Sequence, residues 1–379
     1  MIRDLTDDEA RVALPLKWGS TEEGVIPAWV AEMDYAVAPA ITEALHEAVA
    51  GGVTGYPRQD MHGGQLGEAY AAFAGRHYGQ VVNPGLVLPV VDVTAGVRLA
   101  LDVLSEPGPV VLPLPAYHPF LAVPQVTGRE RWDLPVDANA PRAMFDLDRL
   151  DRLFAEGAHT LVLINPHNPC GHVHTRAELE GIRDVVLRHG ARVISDEVHA
   201  PLVLPGAMHV PYLSLEGTAD HAVSVVAPSK AFNTQGHKCA QVVSADPKTH
   251  ERLVDVPLAR NESWSSLGVV VAVAAYRDGN EWLAALIERL ARLRTLLAEL
   301  LATHLPLARK RPLEATYLVW LDLRAYGHED PAAVARSGGV RTSPGHDFQP
   351  GLPGHVRLNI GTSPERLTEI VRRMGTALA

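Results

Sequence analysis

Four short, nearly unbroken apolar runs punctuate the first two-thirds of the chain, at residues 108–114, 160–165, 192–195 and 222–226. Runs of that length without polar alternation predict strands buried on both faces. Stretches of helical periodicity lie between them. The clearest spans 175–189 and opens with Thr175 and Glu178 in capping-box spacing. Strands alternating with helices predict an α/β fold, a mostly parallel sheet flanked by helices. Ligands of such sheets bind beyond the carboxyl ends of the strands.

The pattern changes near Trp282. Leu283, Leu286, Ile287, Leu290, Leu293 and Leu297 form the apolar stripe of one long helix, with Glu288 and Arg292 at i,i+4 spacing. Residues 317–323 alternate as a half-exposed antiparallel strand would, and a closing helix starts at Pro364. These features predict a smaller α+β C-terminal domain over 282–379 and a large domain over 46–281. Residues 1–45 are expected to form an N-terminal arm that joins the smaller domain. The apolar run 267–276 is too short to cross a bilayer and reads as a buried core helix.

Composition narrows the function classes. The net charge of −10 comes without any basic run, which argues against nucleic acid and anionic membrane surfaces as partners. No apolar stretch follows the N-terminus, so no signal peptide is expected. Cys170 and Cys239 are the only cysteines, too few for a disulfide framework and in keeping with a cytoplasmic location.

Four segments at or after predicted strand ends carry candidate chemistry. Ala227-Pro-Ser229-Lys230-Ala-Phe-Asn233 puts a lysine among apolar neighbours, where an amine loses its proton more readily. Taken alone, Lys230 reads as a solvated surface charge. Ser195-Asp196-Glu197-Val-His199 offers a buried acid that could keep a cofactor's pyridine nitrogen protonated, or an ordinary helix cap. Asn165-Pro-His167-Asn168-Pro-Cys170-Gly171 can continue neither strand nor helix. It is a rigid loop whose Asn168 amide could donate to a phenolic oxygen, or a structural turn. Asp92-Val-Thr94-Ala95-Gly96-Val97 leads into an apolar helix, and its amides could close on a phosphate, although such turns are often empty.

In this order, together with Pro115-Ala-Tyr117-His-Pro-Phe and Val356-Arg357-Leu-Asn359, the motifs resemble fold-type I pyridoxal-phosphate (PLP) enzymes. Trp29-Val-Ala-Glu-Met-Asp-Tyr35, the histidine after Asp-Glu-Val, and Ser-Lys-x-Phe-Asn resemble the MalY/PatB cystathionine β-lyase branch of the class I/II aminotransferase superfamily. The resemblance implies a carbon–sulfur β-lyase acting on a small amino acid. Lys230 then resembles the lysine that holds PLP as a Schiff base and acts as general base. Asp196 would face the pyridine nitrogen, Asn168 and His199 the phenolic oxygen, and Tyr117 the ring face. Ala95, Gly96, Val97, Ser229 and Lys238 would serve the phosphate. Arg357 would clamp the substrate carboxylate, with Tyr35 beside it. Tyr56 matches a tyrosine contributed across a homodimer interface, so a homodimer is implied.

Some positions depart from the family pattern. Ala227 stands where many relatives place a phosphate-binding serine, Glu32 replaces an aspartate, and His237 adjoins Lys238. An expected pocket rim comprises Glu32, Tyr35, Tyr117, Trp264 and the loop 343–352. An aminotransferase would use the same residues. A rival from another class is a metal loop built from His167, Cys170, His172 and His174, the last two on an exposed strand. Gly63-Gly-Gln-Leu-Gly67 lacks the spacing of a dinucleotide-binding turn.

Overall fold

The computed structural model describes residues 2–137, 140–261 and 263–379. Its strands are β1 (Ile26–Pro27), β2 (Val87–Val90), β3 (Val110–Leu114), β4 (Arg131–Pro135), β5 (Thr160–Ile164), β6 (Arg192–Asp196), β7 (Ala222–Val226), β8 (Ala240–Ser244), β9 (Leu318–Asp322), β10 (Val340–Arg341), β11 (Ser343–Pro344) and β12 (His355–Asn359). Seven of them form one sheet in the order β2-β8-β7-β6-β5-β3-β4, in which only β8 runs antiparallel to its neighbours. All four expected strands are present in this sheet.

The apolar runs are continuous because each face of the sheet has its own cover. Val110, Leu112, Leu114, Val162, Ile164, Val223 and Val225 pack with Val97, Leu101 and Leu104 of the helix Val93–Leu104. The alternate residues Val111, Leu161, Leu163 and Val193 pack with Leu150, Leu153, Leu179 and Ile182 on the other side. Period-2 side-chain direction thus sends every second residue to a different core. On the first face the helix lies very close. A Cβ at Gly96 would sit 2.8 Å from Val225 Cγ1, so only glycine fits there.

The helix Asn280–His304 packs along the closing helix Pro364–Leu378, and its leucine stripe shares one core with β9. The breaks expected at 45/46 and 281/282 fall inside the helices Pro39–Ala50 and Asn280–His304. β9 is antiparallel to β12 as expected, yet it is buried rather than half-exposed. Its second face, at Trp320, is covered by Phe348 and His355, which lie far off in sequence. The run 267–276 is part of the helix Ser266–Asp278, which packs on Pro39–Ala50 and Gly64–Tyr78. Among the described residues no helix is long and apolar enough to cross a membrane.

The loop with paired Asn-Pro steps is rigid for a visible reason. Asn165 Nδ2 donates to Val210 O at 3.1 Å and the Gly171 amide donates to His167 O at 2.7 Å. His167, His172 and His174 are buried, not on an exposed strand, and Arg142 with Glu178 and Glu314 closes over His172. Among the described residues no three histidine, cysteine or acidic side chains are arranged to hold a metal ion.

Burial pushes His167 down to about 3 and His174 well below its ordinary value, so both are neutral in the fold. An unfolded histidine protonates near ~6.5. Folded values that are depressed mean that the unfolded chain takes up protons the fold refuses. Stability is therefore complete above about pH 6.5 and falls progressively toward about pH 3. Thermal melts across this window should show Tm dropping as acid is added, and a flat profile would refute neutral burial.

Candidate active site

Each expected cofactor contact was tied to a strand end, and the sheet gathers those ends at one edge. Tyr117 follows β3, Asn168 follows β5, Asp196 ends β6, and Lys230 follows β7 on the short helix Ser229–Phe232. Because β8 is antiparallel, Lys238 reaches the same edge from the start of that strand. Tyr117, Asn168, Asp196, His199, Ser229, Lys230 and Lys238 line one cavity of about 160 Å³.

Lys230 is half-buried, and its Nζ donates to Ala31 O at 3.3 Å. Burial, with repulsion from Arg357, pushes its amine down to about 8. Asp196 is buried, and the hydrogen bond its side chain makes comes from the Val198 amide at 3.1 Å. Burial and the neighbouring Glu197 raise the carboxyl to about 7. An acid so placed gains most from a cationic partner in the cavity. Burial drives His199 down to about 3, so its ring is neutral, and its Nδ1 is buried with no protein partner.

Arg357 sits behind Asn168. Its guanidinium donates to Asn168 Oδ1 at 3.1 Å and to Trp29 O at 2.9 Å, and it lies over the Phe348 ring. Burial lowers it to about 10, which leaves it charged at neutral pH with neutral acceptors around it and Nε unpartnered. A buried cation in that state favours an anion. With Oδ1 held by Arg357, the Asn168 amide nitrogen remains to donate into the cavity.

These residues fit PLP. An amine, an acid, a neutral histidine with an orphaned nitrogen and an aromatic face share one cavity. At the helix start, the amides expected to serve the phosphate already have partners within the chain. The Ala95 amide donates to Asp92 Oδ1 at 2.9 Å and the Gly96 amide to Asp92 O at 2.9 Å. Val97 lies inside the helix and is buried. Ala95, Gly96 and Val97 are therefore spent on helix capping, hydrogen bonding and sheet packing. Val93 and Thr94, one turn earlier, line the cavity instead. Ala227 lines it too and offers no hydroxyl, while Ser229 does.

Tyr35 lies apart from these residues. It is fully buried away from the cavity, with its hydroxyl donating to Thr362 O at 2.7 Å. Tyr56 is 100% exposed and lines a separate pocket of about 400 Å³ with Trp264, so one chain does not bring it to Lys230. Of the expected rim, Phe348 in the loop 343–352 touches Arg357, and Glu32 has one buried carboxyl oxygen without a partner.

Sequence reasoning missed Ala31, Gln235 and the role of Asn233. Gln235 Nε2 and Tyr317 OH donate to the same Ala31 carbonyl as Lys230, at 2.6 and 2.9 Å. Asn233 takes the left-handed conformation at φ 58, and its amide clamps Met33 N and O at 2.9 and 2.8 Å. Asparagine tolerates that backbone, which explains the last residue of Ser-Lys-x-Phe-Asn. Asn233→Ala should lose both bonds and strain the turn, costing about 3 kcal/mol, measured as a drop in denaturant midpoint at unchanged slope. With Lys230 at about 8 rather than the ordinary 10.5, the rate of PLP capture should rise with pH around a midpoint near 8. Absorbance of the captured cofactor would follow it, and a midpoint near 10 would contradict burial of the amine.

Comparison with known proteins agrees with this geometry. The profile of the family "Aminotransferase class I and II" matches residues 29–374. A cystathionine β-lyase of Corynebacterium glutamicum is 36% identical, covering 98% of each chain. The cystathionine β-lyase PatB of Bacillus subtilis is 33% identical over 96% of each. A solved chain from Corynebacterium diphtheriae, provisionally described as a PLP-dependent β-cystathionase, superposes with a TM-score of 0.94 at 32% identity, covering 100% of this chain and 99% of that one. With its lysine and acid gathered at one sheet edge and its arginine brought up to Asn168 by the small sheet, this chain belongs to the class I and II aminotransferase family.

Proposed function

We propose that this chain is a PLP-dependent carbon–sulfur β-lyase that converts S-substituted L-cysteines of the cystathionine kind into a thiol, pyruvate and ammonia. The observation that carries the reading is that Lys230 and Asp196 share one cavity, with the anion-seeking Arg357 bonded to Asn168 of its wall. Relatives with full-length coverage and lyase names support the reaction class.

Asp196 would hold the pyridine nitrogen, Asn168 and His199 the phenolic oxygen, Tyr117 the ring face, and Lys230 the aldehyde carbon. The amides of Val93 and Thr94, with Ser229 and Lys238, would hold the phosphate. The bound ring supplies an electron sink for the charge left at Cα. The chain does the rest. Arg357 binds the substrate carboxylate and fixes which Cα bond points at Lys230. The freed Lys230 amine, which desolvation makes easier to deprotonate than an ordinary lysine, takes the Cα proton. The Cβ–S bond breaks with its electron pair going to sulfur, which needs little protonation to leave because thiols ionise near ~8.5. Water then releases ammonia and pyruvate.

The active assembly is read as a homodimer. The fully exposed Tyr56, beside Val53 and Trp264, supports a contribution to the site of a second copy. The two free, buried cysteines support a cytoplasmic setting.

Purified protein with PLP and L-cystathionine should release thiol and pyruvate in equal amounts. Conversion of the cofactor to its pyridoxamine form without pyruvate would instead make the chain an aminotransferase. Lys230→Ala should lower kcat by ~10³-fold or more while the protein still binds PLP noncovalently. Arg357→Lys should lower kcat/KM by ~10²-fold, mainly through KM, because an ammonium cannot replace the bidentate fork.

A further inference from the structure

The phosphate end of the cavity contains a carboxylate. Asp92 caps the helix Val93–Leu104, and its two oxygens are divided between two partners. Oδ1 accepts from the Ala95 amide and Oδ2 from Lys238 Nζ, both at 2.9 Å. Lys238 itself is held at φ 51, a left-handed conformation that a residue with a side chain rarely adopts. Asp92 and Lys238 line the same cavity as Thr94, Ser229 and Lys230.

A helix start, a cation and a cavity wall make an anion cradle, and here the anion is already part of the chain. Although partial burial opposes its charge, the Ala95 amide and Lys238 hold the Asp92 carboxyl below the ordinary range, so it is charged at neutral pH. Arg98 is exposed and adds a weaker attraction. The family's serine position is Ala227, so the cradle leans more heavily on Lys238, the group that Asp92 neutralises.

We propose that Asp92 is a built-in competitor for the cofactor phosphate. In the cofactor-free chain it keeps Lys238 and the helix start in place as a phosphate would. In the loaded chain it repels the phosphate dianion and shares its cation, so the cofactor is held loosely and exchanges readily. The inference rests on the PLP reading above and adds that cofactor retention is set by this one side chain.

The test compares binding of PLP and of pyridoxal, which lacks the phosphate, to cofactor-free wild type and Asp92→Asn by spectroscopic titration. Asparagine is an equally good N-cap, so the helix start is preserved. If Asp92→Asn folds poorly, Asp92→Ser provides the same comparison with another capping residue. The expected result is PLP affinity raised about tenfold with pyridoxal affinity unchanged. Unchanged or weaker PLP binding by the folded variant overturns the proposal. Equal tightening of both ligands overturns it too, because the effect would then lie at the ring. Failure of wild type to bind either ligand would remove the cofactor reading along with it.

Discussion

Main-chain carbonyls are usually consumed by helices and sheets, yet those from Trp29 to Met33 are each taken by side chains from far along the chain. Trp29 O accepts from Ser343 and Arg357, and Val30 O from Asn359. Ala31 O accepts from Lys230, Gln235 and Tyr317. Glu32 O accepts from Lys17 and Asn359, and Met33 O from Asn233. This strip is a template on which Lys230, Arg357 and the small sheet are set relative to one another. Buried polar backbone must be satisfied. Displacing the strip would strand its carbonyls and their donors together, so the site's geometry is fixed collectively.

The strip is itself anchored by a buried ion cluster. Lys17 Nζ pairs with Asp34 Oδ1 at 2.8 Å, Trp18 Nε1 donates to the same oxygen at 2.7 Å, and Arg366 reaches Oδ2 at 3.3 Å. Burial opposes the charge on Lys17, and Asp34 opposes that effect. Such pairs add little net stability, but they are costly to break singly. The segment from Lys17 to Asp34 is thereby kept against the closing helix, and the strip cannot slide without uncovering a charge.

The parts of the fold that depend on neighbours in sequence were legible beforehand. Continuous apolar runs marked β5 and β7, a capping box marked the helix Arg176–His189, and a leucine stripe marked Asn280–His304. The motifs at strand ends then gave Lys230, Asp196, Asn168 and Tyr117 without reference to contacts. Contacts between distant residues were not legible. Tyr35 sits in a motif beside the site yet turns into the core toward Thr362. Gly96 looked like a phosphate donor because small residues suit either a ligand or a close-packed helix, and only Val225 on the facing strand decides between them. Asp92 could have been recognised as an N-cap by its spacing to Ala95, but nothing local announces its pairing with Lys238.

The antiparallel course of β8 has a kinetic consequence. Lys230 and Lys238 lie on the single connection between β7 and β8, which are hydrogen-bonded neighbours. Both lysines lining the cavity therefore belong to one connection, which also carries the helix Ser229–Phe232. Local opening of that connection would release both in a single event. Exposure of Lys230 and of Lys238 is thus governed by the same fluctuation, and rigidifying the connection would slow both together.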